Sequence, residues 1–148
     1  MVLAVALTPE HGYAMGVAAT SALLMQYLAH KAGSLRKQAG VPYPYLYAER
    51  SEAEKSPIKN LYNCHQRAHQ NTLESYPGFL VLLATASITH PLFAAASGAV
   101  WIVGKFFYAQ GYYTGDPKKR LRGTFAYLGL FGLLGASLKT VAEVSMGW

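Results

Sequence analysis

Residues 12–29 read GYAMGVAATSALLMQYLA, with Gln26 as the one strongly polar side chain. A run of this kind has to be buried, either in a protein core or in a bilayer. Three more runs follow it. Residues 76–89 are apolar but too short alone, residues 92–113 are broken by Lys105, and residues 124–144 carry Lys139 and Glu143 near their end. A membrane helix needs about 20 predominantly apolar residues. Four such runs in 148 residues favour four membrane helices over a soluble helical bundle. Composition points the same way: 14% of residues are charged, against about 25% in soluble domains.

The second run becomes long enough when its polar approach is included. Extended back to Leu61, the helix has about 30 residues and spans about 45 Å, the thickness of a bilayer with its headgroup layers. Its first half, RAHQNTLESYP, places Arg67, His69, Gln70, Asn71 and Glu74 at interfacial depth, and Pro77 is expected to kink the helix. Polar groups at that depth are costly unless they face protein or a wet cavity, which makes them functional-site candidates. The expected helices cover residues 10–36, 61–90, 92–114 and 121–145.

The connections set an orientation. Residues 31–60 hold six basic side chains against three acidic ones, and GDPKKRLRG holds four against one. The connection THPLF and the segment before Gly12 hold no lysine or arginine. The positive-inside rule therefore makes the first and third connections cytosolic and puts both termini on the other side. The prolines of VPYPYLY favour an extended, turn-rich connection. The N-terminus lacks a positively charged n-region, so the first helix is expected to act as an uncleaved signal. The C-terminal EVSMGW shows no lysine-based or prenylation address.

A net charge of +6 and a pI of about 9.5 are compatible with an anionic small molecule or a membrane face. Nucleic acid fits poorly, because the basic residues form two short clusters separated by apolar stretches. The lone Cys64 can form no internal disulfide and reads as an inert thiol. His11, His30, His65 and His90 are scattered without metal-ligand spacing. His69 alone is placed near the polar cluster, as a hydrogen-bonding residue. No nucleophile elbow, phosphate loop or zinc motif is present.

With this topology the polar residues meet at one level. Arg36 and Lys37 end the first helix, Arg67, Asn71 and Glu74 lie in the cytosolic half of the second, Tyr108 and Tyr112 close the third, and Arg120 and Arg122 open the fourth. Arg67, Asn71 and Glu74 fall at i, i+4 and i+7, on one helix face. Such a face suits a ligand with more than one carboxylate, an ammonium for Glu74, and amides for Asn71 and the tyrosine hydroxyls. A plainer reading makes Arg67 and Glu74 an intramembrane ion pair and the tyrosines an interfacial belt, the reading preferred for Tyr113. Lys118, Lys119 and Arg122 read as a topology signal and lipid-headgroup contact.

RAHQNTLESYP together with WIVGKFFYAQGYYTGDPKKRLRG resembles the microsomal glutathione transferase type 3 branch of the MAPEG family. The likeness extends over almost the whole chain, including VPYPYLY. The resemblance implies residues 1–148 as a single integral membrane domain, an all-α four-helix membrane bundle. It further implies a homotrimer in the endoplasmic reticulum membrane, with glutathione as co-substrate held between subunits on the cytosolic side. By position it implies glutathione contacts at Arg67, Asn71, Glu74, Tyr108 and Tyr112, with Gln110 between the tyrosines. His69 falls where a related branch has a glutamine contact. Arg36 takes the place of an arginine that binds a glutathione carboxylate. The thiol-facing arginine maps to Arg120, with Arg122 as the competing position.

Two departures from the leukotriene C4-forming branch bear on chemistry. Lys37 stands where that branch has an arginine proposed as acid, and Ser75 stands where it has a tyrosine. The expected function is a membrane glutathione transferase that turns glutathione into a thiolate, attacking lipophilic electrophiles or reducing lipid hydroperoxides. Arg120 is the expected thiolate-stabilising cation. Lys37 is the expected proton donor or carboxylate anchor. The rival is a non-catalytic, lipid-binding membrane scaffold of the same fold.

Overall fold

The computed structural model describes residues 6–147. The signal-peptide reading of the N-terminus therefore rests partly on residues 1–5, outside the described residues, and Trp148 of the C-terminal address also lies outside them. Among the described residues the chain is helical and has no strand. The helices are α1 (Pro9–Ala39), the short α2 (Arg50–Ala53), α3 (Pro57–Ser87), α4 (Pro91–Tyr112) and α5 (Ala126–Met146), with a 3-10 segment, Pro117–Gly123, before α5.

Proline opens α1, α3, α4 and the 3-10 segment. Its missing N–H is harmless at a first helical position and its fixed φ is already helical. At the other end of α1, Gly40 adopts φ 64°, and the N–H groups of Gly40 and Val41 donate to the carbonyls of Lys37 and Arg36. The connection from Val41 to Ala48 is held to α3 by side chains. Asn63 bonds both the N–H and the C=O of Ala48, and the Tyr62 hydroxyl donates to the Leu46 carbonyl. The Lys59 ammonium, 2.9 Å from Glu52, ties α2 to α3 and holds the Glu52 carboxyl below its ordinary range.

α3 runs on through Pro77. In the turns before it, the Thr72 hydroxyl donates to the Ala68 carbonyl and Ser75 to the carbonyls of Asn71 and Thr72. The helix expected from residue 121 instead starts at Ala126, because residues 117–123 wind as a tighter 3-10 turn. Tyr113 does not stand in a belt: it is half-buried and stacks on His65 at 3.8 Å with planes 5° apart.

The four long helices pack as a bundle in which α1 meets α3 and α4, and α5 lies against α3 and α4. The core centres on Phe79 and Trp101, stacked at 3.9 Å, with Leu83, Ala94 and Leu133 around them. α4 and α5 approach through small residues. A Cβ on Gly129 would overlap the Ser97 carbonyl and sit 2.7 Å from the Trp101 nitrogen, the close backbone approach typical of helices packed in lipid. α4 and α5 are each long and apolar enough to cross a membrane. The outer face of α5 exposes Leu128, Phe131, Leu138 and Val141.

Candidate functional site

The face of α3 that carries Arg67, Asn71 and Glu74 borders a cavity of about 680 Å³, within the usual range of small-molecule sites, about 300–1,000 Å³. α4 contributes Trp101, Lys105, Tyr108 and Tyr112, spaced at i, i+4, i+7 and i+11, so one stripe of the helix lines the opposite wall. Arg120 and Leu121 come from the 3-10 segment, and Tyr127 and Leu130 from α5. Ser75 completes the α3 side.

Arg120 reaches the cavity because glycines let its segment lie on α4. A Cβ on Gly111 would collide with the Lys119 carbonyl, and one on Gly123 with the Gly104 carbonyl and the Tyr108 nitrogen. Gly115, at φ 79°, turns the chain, and the Asp116 side chain accepts from the Lys118 N–H. The Arg120 guanidinium is then braced by the Pro117 carbonyl at 2.7 Å.

Around the cavity Arg67 and Glu74 form an ion pair at 2.9 Å, with side chains 42% and 49% exposed. That is the plainer of the two sequence readings, and in the free chain each group supplies the other's partner. Tyr108 and Tyr112 meet edge to face, ring centroids 5.3 Å apart. Lys105 is buried; its ammonium donates to Asn71 Oδ1 at 3.0 Å and lies 5.1 Å from the Tyr108 ring centre and 5.7 Å from that of Trp101. Three cations, Arg67, Lys105 and Arg120, thus face one carboxylate, Glu74, a net of +2 at the walls. Such a cavity favours an anionic ligand, and its fixed donors can stabilise negative charge without reorganising.

Six of the expected residues therefore share one cavity: Arg67, Asn71, Glu74, Tyr108, Tyr112 and Arg120. Four do not line it. His69 lies two positions from Arg67 and Gln110 two from Tyr108, which turns each to the far side of its helix. Gln110 donates instead to the Tyr27 hydroxyl on α1 at 3.3 Å. Arg36 donates to the Tyr45 carbonyl at 2.7 Å and lies over the Tyr43 ring at 4.5 Å, while Lys37 is exposed on α1. Arg122, the competitor of Arg120, is exposed and outside the lining.

Lys105 was noticed in the sequence only as a break in an apolar run. A lone lysine in the middle of a candidate membrane helix is itself a signal of a functional site, and it stands at i−3 from Tyr108 and i−7 from Tyr112.

The sequence matches the MAPEG family over residues 14–142, nearly the whole length of the bundle. The chain belongs to the MAPEG family. MAPEG proteins are helical membrane bundles, which accounts for the apolar outer face of α5 and the close α4–α5 contact. A relative, microsomal glutathione S-transferase 2 of Homo sapiens, is 39% identical over 69 residues. That stretch covers 46% of this chain and 46% of the relative, so the likeness spans less than half of either.

Proposed function

We propose that this MAPEG protein is a membrane glutathione transferase of the type 3 branch, with glutathione bound in the cavity between α3 and α4. The observation that carries the reading is the convergence of Arg67, Lys105 and Arg120 with Asn71, Tyr108 and Tyr112 around one polar cavity. Arginine suits the carboxylates of glutathione, since its fork donates two parallel hydrogen bonds. Glu74 exchanges part of its pairing with Arg67 for the glutathione ammonium.

A free thiol titrates near 8.5, leaving about 3% thiolate at pH 7. An adjacent cation lowers such a pKa by about one to three, and Arg120 supplies that cation. The thiolate sulfur forms a bond to an electrophilic carbon of a lipophilic substrate, the leaving group departs with its electron pair, and a proton neutralises the leaving atom. With a lipid hydroperoxide the thiolate attacks the terminal oxygen and the O–O bond breaks. The alkoxide leaves with the bonding pair and takes up a proton as the lipid alcohol, glutathione is left as its sulfenic acid, and the thiol of a second glutathione attacks that sulfur to give glutathione disulfide and water. The apolar substrate reaches the cavity laterally, past Tyr127 and Leu130.

In this reading all four long helices of the single domain span the endoplasmic reticulum membrane, with the first and third connections cytosolic. Three copies assemble, and Arg36 and Lys37 serve a neighbour's cavity, which explains their distance from their own. Membrane lipid surrounds the assembly.

The rival, a lipid-binding scaffold without thiol activation, is favoured by two contacts: Arg36 is already held by the Tyr45 carbonyl, and Arg67 and Glu74 neutralise each other. Titrating glutathione into detergent-purified protein while following the ultraviolet thiolate band separates the two. The band is expected in the wild type and in Arg122→Ala, and is expected to vanish in Arg120→Ala. Binding without the band even in the wild type supports the scaffold, and no binding by folded protein defeats the glutathione reading.

A further inference from the structure

We infer that Lys105 is a positioning residue of this site: it fixes the Asn71 amide so that Asn71 meets the ligand only as a hydrogen-bond donor. The inference rests on the proposed glutathione site and adds a residue that neither the family match nor the sequence pattern assigns.

The geometry starts from burial. Lys105 keeps 8% of its surface and sits in an apolar helix, where an ammonium must find partners. Two are π faces, Trp101 and Tyr108, which attract a cation without accepting an ordinary hydrogen bond. The third is Asn71 Oδ1 at 3.0 Å. An ammonium has donors only, so the atom of Asn71 that meets it has to be the carbonyl oxygen. The amide nitrogen is thereby turned away from Lys105, and Asn71 lines the cavity.

Without Lys105, either end of the Asn71 amide could face the cavity. With it, the ligand must present an acceptor, a carbonyl or a carboxylate oxygen, at that point of the α3 wall. The contact crosses from α4 to α3, so it also sets the spacing of the walls that carry Arg67 and Tyr108. Asn71 is the binding group and Lys105 acts through it.

A double-mutant cycle tests this by glutathione calorimetry on the full chain in detergent, with size-exclusion profiles confirming fold. Lys105→Met, which keeps the side-chain length without the charge, is expected to weaken glutathione about tenfold, the scale of one hydrogen bond to a charged group. Asn71→Ala is expected to weaken it by at least as much. The double variant should bind within about twofold of Asn71→Ala, because residues acting as a unit are not additive. Lys105→Arg, which retains a cationic donor, should recover most of the affinity, and Asn71→Asp, which keeps the pairing but removes the donor, should not bind better than Asn71→Ala.

Losses that multiply in the double variant, or wild-type affinity in Lys105→Met, would overturn the inference while leaving the glutathione site intact. Should Lys105→Met fail to fold, Lys105→Arg and Asn71→Asp decide: full affinity in Asn71→Asp is incompatible with a donor role. Absence of binding in the wild type would instead defeat the function itself, and the inference with it.

Discussion

Tyr113 illustrates how a side chain can be misread from its neighbours. Its place in YAQGYYTG, at the end of a membrane helix, suggests an interfacial tyrosine, yet it lies flat on His65 and its hydroxyl is buried with no partner. A buried hydroxyl without a partner costs about 1–3 kcal/mol. Tyr113→Phe keeps the ring stack and removes that cost, so its melting temperature should equal or exceed that of the wild type. A clear fall would mean that the hydroxyl has a partner in the folded membrane protein. At Glu74 the balance runs the other way. Its pair with Arg67 is about half exposed on both sides, and exposed pairs contribute about 0–1 kcal/mol. Glu74→Gln should therefore leave thermal stability almost unchanged while weakening glutathione about tenfold by calorimetry, a loss of about 1.4 kcal/mol in binding.

Between elements, glycine decides the contacts. Gly111 and Gly123 seat the 3-10 segment on α4, and Gly129 seats α5. Gly111→Ala places a methyl group against the Lys119 backbone, which cannot move aside as a flexible side chain can. Overpacking of this kind costs about 1–3 kcal/mol; the variant should lose the Arg120-dependent thiolate band at glutathione saturation even where the bundle stays folded. Gly129 and Gly135 form a control pair on one helix. A Cβ at Gly129 meets the α4 backbone, whereas one at Gly135 meets nothing within 4 Å. Gly129→Ala should lower the melting temperature in detergent, and Gly135→Ala should leave it unchanged or raise it. Equal effects would show that the α4–α5 approach is looser than drawn.

For the molecule as a whole, the charge distribution makes a claim about sidedness. The connection holding Lys118, Lys119, Arg120 and Arg122 should face the cytosol. In Cys64→Ala protein carrying Lys118→Cys, a membrane-impermeant maleimide should label sealed microsomes from outside without detergent. Labelling only after detergent would invert the topology. Cys64 itself is buried and should react slowly in the folded chain.

The apolar runs and the polar, basic connections between them made the helical architecture legible from residues alone, because the need to bury apolar surface is a local property. The shared face of Arg67, Asn71 and Glu74 was legible for the same reason: it follows from 3.6 residues per turn within one helix. What surrounds that face was not. Lys105 joined the site through a contact 34 positions distant in sequence, and Arg120 was separated from Arg122 by which of them the glycine-seated segment turns inward. Those outcomes depend on how α3, α4 and the 3-10 segment pack together, and packing between elements is decided by long-range contact, which no local pattern encodes.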